Sequence, residues 1–121
     1  MKPDKNRVKD LLENWRHWGR DLPPDSAEIH YYTISPMFRD YVKPTPKWVR
    51  YDEQAALAVE EVLAEMFRTY PKDREMLILY WIHMNNIRDL ADALSIPKST
   101  VHDRIKRAED TFADFWVKVY Y

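Results

Sequence analysis

The apolar residues between positions 86 and 112 fall into two helical registers separated by three residues, and this spacing constrains the fold more than any other feature. Ile87, Leu90, Ala91 and Leu94 sit at i, i+3, i+4 and i+7, the pattern of one buried stripe on a short helix. Ser95, Ile96 and Pro97 break that register and leave a single apolar side chain, Ile96, to be buried in a turn. Val101, Ile105, Ala108 and Phe112 then resume helical spacing on a second helix. Two short apolar faces meeting across a tight turn make a helix-turn-helix.

The second helix keeps an outer face free. On a wheel of about 100° per residue with Val101 pointing inward, Ser99, Asp103 and Lys106 point most directly away, flanked by Lys98, Thr100, His102, Arg104 and Arg107. Positions 98–107 hold four cations against the one carboxylate of Asp103, a formal +3 in a chain whose total is −1. Such a face suits a helix that enters the major groove, because cations neutralise phosphates and polar side chains reach base edges. The alternative is a helical hairpin whose basic face is simply solvated.

The rest of the chain narrows the class. A length of 121 residues gives one compact domain, or one domain with an appendage. A single glycine, with 45% hydrophobic and 32% charged residues, points to an all-α globule. The absence of cysteine excludes disulfides and thiolate zinc sites, and His17, His30, His83 and His102 lack helical metal-ligand spacing. No metal and no cofactor is therefore expected. The sequence has no phosphate-cradling glycine loop, no nucleophile elbow and no HExxH, and adjacent Glu60 and Glu61 cannot face one another on a helix. No catalytic residues are expected, and the chain reads as a non-enzyme. No apolar run approaches the roughly 20 residues of a membrane span, and the first residues lack a signal-peptide core, so the expected location is the cytoplasm.

Three segments emerge. Residues 1–20 form an amphipathic helix opened by Pro3 and Asp4, with Val8, Leu11, Leu12, Trp15 and Trp18 on one face and Gly19 as its stop. Lys5, Lys9, Glu13, Arg16 and Arg20 occupy the opposite face, and the tryptophans are expected in the core of this chain or against a partner. Residues 21–51 lose periodicity, hold five of the eight prolines and many aromatics, and are expected as an extended arm with a short helix near 37–42. Residues 52–121 form the helix-turn-helix domain. Asp52 caps a long helix carrying Ala56, Val59, Val62, Leu63, Met66, Phe67 and Tyr70, which Pro71 ends, while Glu53, Glu60, Glu61 and Glu65 cover its outside. Asp73 is expected to cap a shorter central helix, and Asn86 with Asp89 to open the next. The last helix continues through Phe115, Trp116 and Val119, a tail expected to pack on the body or on a second subunit.

Residues 52–112 carry Leu90-Ala91, Ile96-Pro97, Thr100-Val101 and Arg104-Ile105-x-x-Ala108, an arrangement that resembles the promoter-reading fourth region of bacterial sigma factors. Three further features are Leu12-Glu13-Asn14-Trp15-Arg16-His17-Trp18-Gly19-Arg20, the Pro-rich middle and the acidic opening Asp52-Glu53-Gln54-Ala55-Ala56. With them the chain more specifically resembles phage antitermination proteins of the Q type. The resemblance implies a protein that binds double-stranded DNA overlapping a phage late promoter, engages bacterial RNA polymerase paused downstream and carries it through terminators. It implies DNA reading by Lys98, Ser99, His102, Asp103 and Lys106, with Thr100, Arg104 and Arg107 on phosphates. One small helix-turn-helix reads only a few base pairs, so a homodimer or two copies per site is expected. Two departures stand out: Met84 replaces a glycine common in relatives, and the cysteines many relatives carry near residue 52 are absent. A sigma-like late-gene activator and a DNA-packaging adaptor of the small-terminase kind are the alternatives.

Overall fold

The computed structural model describes residues 2–20, 50–84 and 86–120. Five α-helices follow one another: α1 (Lys5–Arg20), α2 (Glu53–Thr69), α3 (Pro71–Leu77), α4 (Ile87–Leu94) and α5 (Lys98–Tyr120). A π-helical stretch, Ile78–Met84, prolongs α3. The fold is all-α, with no strand among the described residues. The arm expected over 21–51, with its helix near 37–42, lies outside the described residues except at its last two positions.

Local chemistry sets the helix starts. The Asp4 carboxylate accepts the Arg7 N–H at 2.8 Å, and that of Asp52 accepts the Ala55 N–H at 3.2 Å, each satisfying a donor left orphaned in a first turn. Asn14 then ties α1 to the start of α2: its Nδ2 donates to the Asp52 carbonyl at 2.8 Å while its Oδ1 accepts the Asp52 N–H at 2.7 Å.

α1 lies on α2 and on the π stretch, and α5 crosses α2, α3 and α4. Trp15, Leu12, Leu63, Met66, Leu77 and Phe112 are fully enclosed between them. Both tryptophans of α1 belong to this core, Trp15 with no exposure and Trp18 with 3%. The Trp15 indole N–H donates to Glu60 Oε1 at 2.7 Å, so one carboxylate of the expected acidic face serves a buried donor. Another, Glu61, accepts the Tyr120 hydroxyl at 2.8 Å, which folds the tail of α5 back onto α2.

Two expectations about α1 are corrected. Gly19 does not stop the helix, which continues through Arg20. It is buried, and a Cβ there would stand 2.7 Å from Ile82 Cδ1, so glycine permits close approach of α1 to the π stretch. The polar face also does not remain wholly in solvent. Arg16 is buried, with its guanidinium 5.1 Å from the centre of the Trp81 ring and Nη2 2.9 Å from Glu13. Arg20 Nε donates to the Ile82 carbonyl at 2.7 Å, satisfying an acceptor near the end of the π stretch. Burial, with a smaller contribution from Arg16, lowers the Arg20 pKa to about 10, which leaves it charged at neutral pH.

Candidate nucleic-acid interface

The helix pair is held at both ends of α4. Asn86 Oδ1 accepts the N–H groups of Arg88 at 2.9 Å and Asp89 at 3.2 Å. At the other end Ser95 adopts a left-handed conformation, φ 56° and ψ 43°, in the position glycine usually takes. The Ile96 N–H reaches back to the Ala91 carbonyl at 3.2 Å and the Ser95 N–H to that of Asp92 at 3.3 Å, a Schellman closure. Ile96 is half-buried against the core, as its place as the one apolar side chain to bury in the turn suggests.

α5 starts immediately after Pro97, whose carbonyl accepts the Val101 N–H at 3.1 Å. Val101, Ile105, Ala108 and Phe112 are buried, which fixes the rotation of the helix. Lys98, Ser99, His102, Asp103, Arg104, Lys106 and Arg107 are exposed, and Thr100 is half-buried. His102 Nδ1 stands 3.8 Å from Asp103 Oδ1, both side chains well exposed. Among the described residues Lys98, Arg104 and Lys106 make no ion pair.

Arg107 differs from those three. Its Nη2 donates at 3.1 Å to Oδ1 of Asp73, a buried carboxylate whose Oδ2 receives the Thr111 hydroxyl at 3.0 Å. Asp73 is therefore no helix cap. Pro71 takes the first helical position, the cap is Tyr70 without a side-chain bond, and Asp73 lies inside the first turn, turned toward α5. The signal was present in the sequence, since proline prefers the first position of a helix and so places the cap before it.

On the other flank of α5 a groove of about 760 Å³ separates the start of α1 from the helix, with Lys5, Lys9, His102 and Lys106 along its rim. Glu109 and Asp110 also border it, so the groove carries both signs. Burial raises the Glu109 carboxyl above its ordinary range, opposed most strongly by Lys9. Among the described residues no three His, Asp or Glu side chains gather as a metal site. No described helix is long and apolar enough to cross a membrane.

The sequence model of the family described as phage antitermination protein Q matches residues 5–119. The chain belongs to that family. Neither the curated proteins nor the solved structures give a match. Membership assigns this Q-family chain a role in phage transcription antitermination, and the match takes in all five described helices up to the last turn of α5.

Proposed function

We propose that this Q-family protein binds promoter-proximal double-stranded DNA with the outer face of α5, engages paused RNA polymerase and makes it read through terminators. The observation that carries the DNA step is the exposed face of α5, where Lys98, Arg104 and Lys106 stand clear of ion pairs among the described residues on a helix whose inward side chains are buried. In this reading α4 and α5 act like the helix pair of sigma region four. Lys98, Ser99, His102, Asp103 and Lys106 address bases, while Thr100, Arg104 and Arg107 lie along the phosphates. Two copies, or one copy with polymerase, supply the specificity that a single helix lacks.

The polymerase contact belongs to the N-terminal half, because the outer face of α5 is committed to DNA. Trp15 and Trp18 are core residues, which leaves the outer side of α1 and the 21–51 segment for that contact.

A reconstituted transcription reaction with a terminator downstream of the promoter tests the reading, with footprints taken with and without polymerase. The expected result is read-through that disappears in a folded Arg104→Ala/Lys106→Ala variant together with the footprint. Stimulated initiation without read-through would instead identify a promoter activator, and assembly of large rings by light scattering a packaging adaptor. Read-through that persists fully without the footprint would overturn the assignment of α5.

A further inference from the structure

The sequence counts four free cations on the outer half of α5, and the structure sets one of them apart. The Arg107 side chain is 69% exposed, yet it is bonded to an Asp73 side chain that is only 5% exposed. Asp73 reaches α5 from α3 and grips it at two points one turn apart, the guanidinium of Arg107 and the hydroxyl of Thr111. Thr111 is fixed in turn, since its hydroxyl also lies 3.0 Å from the Arg107 carbonyl.

We infer that Asp73 is a positioning residue for the DNA-reading helix: it braces α5 and neutralises Arg107, removing that arginine from the free charges that offset DNA phosphates. This inference rests on the proposed DNA reading by α5. A buried ionised carboxylate loses far more by losing its counter-charge than a surface pair does, so a phosphate arriving from solvent competes poorly for the same guanidinium. Arginine suits the task because its planar group offers five N–H donors, of which one holds Asp73 and the rest still meet solvent or a phosphate as part of a neutral pair. Arg104, three residues earlier and exposed, makes no such pair among the described residues and remains a full charge.

Salt dependence of DNA binding counts free charges, about 0.9 of a log–log unit for each phosphate neutralised. Binding of the full chain to a duplex of about 30 base pairs of arbitrary sequence, followed by anisotropy between roughly 50 and 200 mM salt, reads that number. With Lys98, Arg104 and Lys106 free, the slope should lie nearer −3 than −4 per copy, and Arg104→Ala should flatten it by about 0.9. Arg107→Ala should leave the slope unchanged. Asp73→Asn should steepen it by about 0.9, and the double variant should return it to the starting value. A role in stability alone moves melting temperature but not these slopes.

Arg107→Ala flattening the slope as much as Arg104→Ala, with Asp73→Asn inert, would overturn the inference. Guanidinium ¹⁵N spectra of the unmodified protein keep the test independent of variant folding. Slow rotation about the Arg107 Cζ–Nε bond that survives addition of DNA supports the brace, and free rotation refutes it. A wild-type slope near zero would instead defeat the DNA reading, while the spectra of the free protein would still decide the brace.

Discussion

α1 and the first three turns of α5 both carry basic side chains, yet Arg16 and Arg20 of α1 are turned into the fold while Lys98, Arg104 and Lys106 of α5 stand in solvent. The histidines divide similarly: His83 is buried at the end of the π stretch, and His102 is exposed on α5. What decides each fate is the surface opposite. Across from α1 lie the Trp81 ring and the Ile82 carbonyl, which attract cations, whereas nothing among the described residues covers the outer face of α5. Charge along a helix can therefore be packing chemistry or binding chemistry, and variants separate the two by whether stability or DNA affinity responds.

The largest effect should come from Val101→Asp, which places a carboxylate at a fully buried position behind the exposed face of α5. Its burial without a partner costs several kcal/mol against a total stability of about 5 to 15, so cooperative melting should be lost. Lys106→Ala, on the opposite side of α5, should melt like the wild type in the same calorimetric experiment. If Lys106→Ala unfolds the protein, the two faces have been confused.

Next in size is a pH effect confined to the buried side of the comparison. Burial, followed by the nearby Arg20 charge, lowers the His83 pKa to about 4. Between its ordinary value near 6.5 and about 4, the unfolded chain binds a proton that the folded chain refuses, so stability is full above that window and falls with pH through it. The loss attributable to His83 is on the order of 3 kcal/mol. Glu109 acts with the opposite sign, because its raised pKa makes the folded form hold a proton more readily and adds stability as pH falls. Melting temperature followed from pH 7.5 downward should therefore drop less steeply in His83→Gln than in the wild type. Parallel curves would show that His83 charges in the fold without cost.

Arg20→Ala probes the comparison from the α1 side. Removing the guanidinium withdraws the 2.7 Å bond to the Ile82 carbonyl and should cost about 1.5 to 3 kcal/mol in denaturant unfolding. Affinity for DNA, measured on the folded fraction, and its salt slope should stay as they were. A flattened slope would move α1 into the DNA interface, beside the groove that Lys5 and Lys9 share with Lys106.

Periodicity made much of this legible, since Val101, Ile105, Ala108 and Phe112 are buried where helical spacing places them and Asp52 and Asn86 cap as their neighbours suggest. What stayed hidden depends on partners distant in the chain. Gly19 looks like a stop until Ile82 is seen against it, and Arg16 looks solvated until its guanidinium is seen over the Trp81 ring. Asp73 fits a cap by type, and only contact with Arg107 and Thr111 gives it a buried role. The apolar run Ile78–Met84 announces burial but holds nothing that separates π from α geometry.

The smallest expected effect lies in the turn that presents α5. Ser95 is the one non-glycine residue with positive φ among the described positions, and a left-handed conformation costs an L-residue roughly 1 to 2 kcal/mol. Glycine relieves that cost but frees the unfolded chain, returning about 0.5 to 1 kcal/mol, so Ser95→Gly should stabilise by no more than about 1.5 kcal/mol. The Schellman bonds from Ser95 and Ile96 use backbone N–H groups and survive the substitution, so the angle between α4 and α5 is retained. DNA affinity should then be unchanged while melting temperature rises slightly. A gain in stability accompanied by weaker DNA binding would mean that the serine holds α5 at its working angle, and that the exposed face depends on its turn as closely as α1 depends on its buried partners.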